Sequence, residues 1–278
     1  MLTINPKEIE TPKLHHYLLG AIGPRPIAFA STIDSKGNRN LSPFSFFNVF
    51  SANPPILVFS PARSGRTGAT KNTLDNVKEV KEVVINVVNY NIVQQMSLSS
   101  SPYGKNIDEF VKSGLTAIPS NEVKPFRVKE SPVQFECKVN EIVALGQNGG
   151  AGNLVICEVL KIHIDEAILD QNGMIDQTKI DLVSRMGGNW YCRADKNSMF
   201  EIEKPITTIG IGVDHIPENI RNSSILTGND LGLLGSIEAF PSQEEINNFE
   251  APEGEKHQIA QEFLNKNEVM NAWKVLLK

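Results

Sequence analysis

Between Ser60 and Thr73 the chain reads SPARSGRTGATKNT, which gathers Ser60, Arg63, Arg66, Lys71, Asn72 and Thr73 just ahead of a segment with helical spacing. Cationic side chains, hydroxyls and free amide N–H groups at a helix N-terminus are what a phosphate dianion requires. The same composition would serve a solvated loop leading into a capped helix.

A second stretch lies upstream. NLSPFSFFNVF, Asn40 to Phe50, holds four of the 13 Phe (Phe44, Phe46, Phe47 and Phe50), which points to burial. Yet Asn40, Ser42, Pro43, Ser45 and Asn48 interrupt it. A flat, three-ring ligand needs apolar walls together with hydrogen-bonding groups along its polar edge. Ser42, Ser45 and Asn48 supply side-chain groups, and Pro43 leaves a neighbouring carbonyl unpaired by local structure. A core strand with a bend would account for the same residues.

Other chemistries lack support. None of the five His forms an H-E-x-x-H pair, and adjacent His15 and His16 leave a helix in different directions. There is no G-x-S-x-G, no Walker A loop and no G-x-G-x-x-G after a strand. Cys137, Cys157 and Cys192 are odd in number and far apart, so reduced thiols in a cytoplasmic protein are expected. With 27 Lys+Arg against 32 Asp+Glu the net charge is −5, and no basic run suggests nucleic acid as the partner. No apolar run reaches the roughly 18 residues of a membrane span, and the N-terminus lacks the apolar core of a secretory signal.

The elements that must position these residues are mostly strands. TPKLHHYLLG reads as a helix capped by Thr11 and ended by Gly20. AFAST begins a strand, and DSKGN (34–38) is a hairpin turn with Gly37 at positive φ. ILVF and VVINVV are further short strands. In SPVQFECKVNEIVAL, Val133, Phe135, Cys137 and Val139 alternate with Gln134, Glu136, Lys138 and Asn140, which predicts a half-buried antiparallel strand. The Gly-rich GQNGGAGN then connects it to a strand at LVICEVLKIHI. This connection is a hairpin by loop statistics, although Gly-rich loops also cradle phosphate. Helices are expected to be few: KNTLDNVKEV, capped by Asn72 or Thr73, and NIDEFVKSGL, ended by Gly114. After Pro205 the character changes. Ser242 and Glu245 have capping-box spacing, and 257–278 carries Ile259, Phe263 and Trp273 at helical spacing with a break near 265–267. The expected division is a β-rich domain over 1–204 and a mostly helical extension over 205–278 that packs on it.

Several ordered motifs resemble one family. They are RPIAFASTIDSKGNRNLSPFSFFN (25–48), NPPILVFS (53–60), KNTLDNV (71–77), VVINVV (83–88), ESPVQFEC (130–137) and SRMGGNWY (184–191). Over about residues 17–200 the chain resembles the flavin reductase-like proteins, and within them the flavoredoxin-like and monooxygenase-reductase branch. The family pattern usually reads Lys-Asp-Thr where this chain has Lys71-Asn72-Thr73. The resemblance implies an α+β fold dominated by a Greek-key split β-barrel that binds FMN. By the same resemblance the isoalloxazine would lie against the 41–46 backbone (Pro43 and Phe44 included), with polar contacts from Asn40, Ser42 and Ser45. Arg63, Lys71 and Thr73 would hold the phosphate, with Ser60 and Asn72 beside them. It further implies a homodimer in which Arg185, Trp190 and Tyr191 reach the other subunit's flavin, or serve as ordinary interface residues. NAD(P)H would be the co-substrate, and a flavin or an electron-acceptor protein would be the partner. His163 resembles a His found near the nicotinamide in such proteins; a solvent-facing strand position is the alternative. No protein acid–base group is needed, because the cofactor carries the reaction.

Overall fold

The computed structural model describes all residues, Met1 to Lys278, and the chain divides into two compact units, Met1–Phe200 and Glu201–Lys278. The first unit is built on one seven-stranded antiparallel sheet. Its strands are β1 (Ala28–Ile33), β2 (Arg39–Phe44), β3 (Phe47–Ala52), β4 (Pro55–Phe59), β5 (Glu82–Asn86), β8 (Val133–Ala144) and β9 (Asn153–Ile164), in the order β2-β1-β5-β8-β9-β4-β3. Two-stranded pairs, β6 (Ala117–Ile118) with β7 (Arg127–Val128) and β10 (Val183–Arg185) with β11 (Tyr191–Arg193), lie outside it. The helices of this unit are α1 (Thr11–Ala21), α2 (Asn72–Val80), α3 (Val93–Ser99), α4 (Glu109–Ser113) and α5 (Gln177–Ile180).

The strand order contains its own closure rule. β2 and β3 are the two outermost strands, yet only Ser45 and Phe46 separate them in sequence. The three Cα–Cα steps from Phe44 to Phe47 span at most about 11 Å, so the sheet must curl until its first and last edges nearly meet. This is the split barrel. Its interior is a single cluster drawn from strands across the sheet: Ala28, Ala30, Phe44, Leu57, Phe59, Val83, Ile85, Cys137, Val139, Val155 and Cys157, with Leu74 and Val77 of α2 inserted. On the other face of β1 and β2, Phe29 and Leu41 pack under Ile92, Met96 and Phe110 of the α3–α4 region. β1 is therefore buried along its whole length.

Local chemistry explains where the elements begin and end, and it corrects several expectations. α1 is capped by Glu10 rather than Thr11, since the N–H groups of Lys13 and Leu14 both donate to the Glu10 carbonyl. It runs past Gly20 to Ala21 and stops before Gly23-Pro24, where proline has no N–H to continue the ladder. In the β1–β2 hairpin, Gly37 takes φ 84° while Asp34 accepts the N–H groups of Lys36 and Asn38. α2 begins with Asn72 and Thr73 already helical and Lys71 as the N-cap, without a side-chain cap. Only half of the Phe-rich stretch is inside: Phe44 is buried and Phe47 half-buried, whereas Phe46, in the link between β2 and β3, and Phe50, on the edge strand β3, are exposed. Helices are more numerous than expected; α3, in particular, has no capping signal in the sequence.

The polar face of β8 also differs from the alternating expectation. Gln134 and Glu136 are buried, because the segment around Asn121–Arg127 folds over them. The Glu136 carboxylate accepts the N–H groups of Asn121 (2.9 Å) and Glu122 (2.6 Å), and His163 Nε2 lies 2.6 Å away. His163 is thus paired and partly covered rather than solvent-facing.

The second unit has a core of its own: Ile216, Ile220, Leu226, Leu234, Ala260, Leu264, Ala272, Trp273 and Leu276. It comprises α6 (Glu218–Arg221), α7 (Gly228–Leu234), α8 (Gln243–Asn248), α9 (Lys256–Leu264) and α10 (Val269–Leu277). The Ser242–Glu245 capping box is present, and Thr227–Asp230 forms a second one. Trp273 is fully buried, donates its Nε1–H to the Leu234 carbonyl at 3.0 Å and meets Phe240 edge-on. No helix of the protein is long and apolar enough to cross a membrane.

Glu136 gives a pH test of the fold. Burial pushes its carboxyl up, but the N–H groups of Asn121 and Glu122 and the neighbouring His163 outweigh it and hold the group below the ordinary carboxylate value. A depressed folded-state pKa contributes stability above the unfolded value, and that stability is lost as pH falls through the folded one. We expect Glu136→Gln to cost about 1–3 kcal/mol at pH 7, the penalty for leaving a buried donor facing a donor. In urea titrations the gap to wild type should narrow as pH falls through the carboxylate range; a gap that stays constant across that range contradicts the assignment.

Candidate functional site

The Ser60–Lys71 loop leaves β4 and delivers the chain to the first turn of α2. It is held from both sides. Ser60 N–H donates to the Phe46 carbonyl at 2.8 Å, tying the loop to the β2–β3 corner. Ser60 Oγ accepts the N–H of Asn153, and Asn153 Nδ2 donates to the Pro61 carbonyl. Arg63 N–H donates to Ala151 O, and Gly150 N–H returns to Arg63 O. GQNGGAGN is therefore a hairpin connection, and one that buttresses the basic loop. Its glycines are there for close approach: a Cβ on Gly152 would lie 2.7 Å from Ser60 Oγ, and one on Gly149 would lie 3.0 Å from the carbonyls of Ser64 and Gly65.

The cationic groups face the helix mouth unevenly. Arg63 is half-buried; Nη1 donates to Gly68 O at 3.1 Å, while its buried Nε has no partner. Lys71 and Arg66 are exposed, and Asn72 is half-buried. The first intrahelical bonds of α2 run from Leu74 and Asp75 to the Lys71 carbonyl, so the N–H groups of Asn72 and Thr73 have no acceptor within the helix.

Two predicted contact residues sit deeper than a ligand-facing role requires. Thr73 is fully buried and donates its hydroxyl to Asn40 Oδ1 at 2.7 Å. Asn40 is 5% exposed and donates Nδ2 to Glu109 Oε1 at 3.1 Å. Glu109 Oε2 accepts the Leu41 N–H at 3.1 Å. The Asn40 and Thr73 side chains are thus turned into the protein and bonded to each other. Ser42, Pro43 and Ser45 remain half-buried along β2 and the corner, next to buried Phe44. Because Leu41 N–H points at Glu109, it faces the free edge of β2. Two residues on, Pro43 faces the same edge, where it has no N–H to leave unsatisfied.

The third predicted group forms a separate cluster. Arg185 and Arg25 exchange backbone hydrogen bonds of 2.8 and 3.0 Å. The Arg25 guanidinium, almost completely buried, donates to the carbonyls of Leu19, Ile22 and Met186, which locks the end of α1 to the β10–β11 turn. Burial, and then the neighbouring Arg185, lower the Arg25 pKa. Arg185 lies over the Tyr191 ring at 4.6 Å, and Trp190 is 78% exposed. Concavities of about 770 and 200 Å³ border this hairpin, one at His16, Gly20 and Gly187–Cys192 and one at Tyr90, Val93 and Tyr191–Arg193.

α1 connects the two clusters. His15 meets Phe46 edge-on with centroids 6.4 Å apart, Gly150 approaches Thr11, and Gly187 packs against Gly20. Yet α1 buries none of its own residues, and it leaves Tyr17 and Leu18 exposed. Sequence reasoning missed Arg25, Glu109 and Asn153. Each works by contacting chain that is distant in sequence, and only Glu109, an acid between a cap and a core Phe, carries a local hint.

Comparison with known proteins gives a family match that lies within the first unit. The model of the flavin reductase like domain matches residues 21–179. A protein of uncharacterised function from Aquifex aeolicus is 36% identical over 189 residues, covering 68% of this chain and 93% of its own. Nitrilotriacetate monooxygenase component B from Bacillus cereus superposes with a TM-score of 0.68 at 30% identity, over 73% of this chain and 98% of that one. A split-barrel protein of Shewanella frigidimarina, assigned as a flavin reductase, gives 0.61 at 28% identity, over 73% and 100%.

Proposed function

Since the chain belongs to the flavin reductase-like domain family, we propose that it is an FMN-dependent oxidoreductase, taking hydride from NAD(P)H and passing electrons to a flavin, an acceptor protein or a small oxidant. The observation that carries this reading is the mouth of α2. The loop that carries Arg63 and Lys71 leads into it, the N–H of Asn72 has no acceptor within the helix, and Ser60 ties the loop to the β2–β3 corner. Cationic groups, unpaired N–H donors and the partnerless Arg63 Nε fit a phosphate monoester. One such cluster, with no second motif for a pyrophosphate, favours FMN over FAD.

When bound, the flavin supplies the hydride-accepting centre, so the protein needs no acid–base dyad. The residues of the chain bind and orient. Arg63 and Lys71 neutralise the phosphate, with Ser60 and Asn72 beside them. Ser42, Pro43, Phe44 and Ser45 present the edge and wall against which the ring lies. Asn40 and Thr73 hold those two segments in register from below. A flavoredoxin-type carrier without its own nicotinamide site is the second reading, supported by the lack of any visible nicotinamide motif; a split barrel that binds without catalysis is the third.

A homodimer completes the proposal. Tyr17, Leu18, Phe46, Val49, Phe50 and Trp190 are all exposed, and aromatic anchors of this kind favour an interface. A second copy covering them would bring Arg185, Trp190 and Tyr191 towards the partner's flavin. Light scattering should return twice the 30.7 kDa protomer mass; a monomer with FMN still bound would refute the pairing.

Lys71→Ala should lower FMN affinity by about one to two orders of magnitude, the worth of a charge-assisted hydrogen bond. Riboflavin, which lacks the phosphate, should bind almost unchanged. Equal losses for the two ligands place Lys71 elsewhere.

Under anaerobic conditions NADH or NADPH should bleach the bound flavin in a single turnover, and added FMN or oxygen should restore its colour. Dithionite serves as the control for redox competence. If dithionite bleaches the flavin and neither nucleotide does so at millimolar concentration, the carrier reading replaces the reductase.

A further inference from the structure

We propose that Glu109 is a positioning residue for the phosphate end of this site, acting through the Asn40 amide on Thr73 and the first turn of α2. The inference rests on the FMN reading above and adds a residue that the family motifs do not contain.

The argument is one of hydrogen-bond polarity. Glu109 is 3% exposed, and its two oxygens face two donors, Asn40 Nδ2 and Leu41 N–H, each at 3.1 Å. An ionised carboxylate only accepts. It therefore dictates that Asn40 turns its NH2 towards Glu109 and its carbonyl oxygen towards α2. That oxygen has one close donor, the Thr73 hydroxyl at 2.7 Å, and a longer contact to Thr32 Oγ1 at 3.4 Å. Asn76 Nδ2 donates to Thr32 Oγ1 at 3.1 Å and ties a second point of α2 to the same network. The direction of every bond follows from the acceptor-only end. The Thr73 proton is committed to Asn40, so its hydroxyl cannot donate to a phosphate oxygen, and Lys71 and Asn72 on the same turn are held in place instead.

The neighbourhood keeps Glu109 where this requires. Asp108 caps α4 by accepting Phe110 N–H, and Arg39, next to Asn40, is paired with Asp108 at 2.5 Å. Phe110 is buried behind them. Residues 39–41 of the edge strand thus bond to Asp108 and Glu109 in turn. Burial raises the Glu109 pKa, and the hydrogen bonds from Leu41 N–H and the Asn40 amide oppose that rise.

In Glu109→Gln one acceptor becomes an NH2 that faces a donor. The Asn40 amide must then turn over and present its NH2 to Thr73, which reverses the bond. We expect FMN affinity to fall about tenfold, the worth of roughly one oriented hydrogen bond, with riboflavin affinity held within about twofold. Thr73→Val should show the same selective loss and Thr73→Ser should retain wild-type affinity. The double variant Glu109→Gln with Thr73→Val should bind no worse than either alone to within about threefold, because the two residues act in one chain of bonds. Isothermal titration of FMN and riboflavin on the full chain gives each value.

Additive losses in the double variant would overturn the proposal, and so would equal losses of FMN and riboflavin. Should Glu109→Gln fail to fold, the Thr73 pair reads the same bond from its other end, and wild-type FMN affinity in Thr73→Val overturns the proposal. If Lys71→Ala selectively loses FMN while Glu109→Gln binds as wild type, only the Glu109 proposal fails. If wild type binds FMN no better than riboflavin, the phosphate assignment fails and this inference falls with it.

Discussion

The structure of the first unit depends on a two-residue link between opposite edges of one sheet. β2 and β3 are as far apart as strand order allows, and Ser45–Phe46 must nevertheless join them. The sheet can satisfy that link only by curling. The curl encloses the apolar face in a barrel, and it brings the exit of β4 to the same corner, where Ser60 N–H meets the Phe46 carbonyl. Closure alone therefore sets the β2–β3 backbone beside the entry to α2, with no dedicated loop. Polar residues in the Phe-rich stretch are there because a strand that turns at a closing edge cannot be apolar on both faces.

Three buried charged groups follow one rule. Each is an acceptor or donor that settles the direction of its neighbours: Glu109 for Asn40, Glu136 for the turn at Asn121–Glu122, and Arg25 for the carbonyls at the end of α1. Groups with a single possible polarity leave no alternative arrangement of comparable energy. A buried group left without such a partner costs about 1–3 kcal/mol, so these networks fix segments that the apolar core alone would leave free to slide.

Much of the fold was legible in the sequence wherever the signal was local. The β1–β2 turn, the alternating β8, the Ser242–Glu245 box and the break between α9 and α10 all arise from residues within a few positions of one another. The gathering of Arg63, Arg66 and Lys71 ahead of α2 was legible for the same reason. What was not legible depended on distant chain. The burial of Glu136 on a strand face that reads as polar needs the 119–128 segment to cover it. Phe46 and Phe50 are exposed at the link into β3 and on β3 itself, the last strand of the sheet, and strand spacing does not reveal that order. Asn40 and Thr73 were read as ligand contacts, but their hydrogen bonding depends on Glu109, which lies 69 residues beyond Asn40 and reaches it only after folding.

The second unit has a core drawn entirely from its own residues, with Trp273 at its centre. Relatives and solved structures align with about three-quarters or less of this chain while being covered almost completely themselves. A unit whose interior comes from its own residues alone can be gained or lost as one piece of coding sequence, which is how a domain shared with shorter relatives comes to be carried in a longer chain.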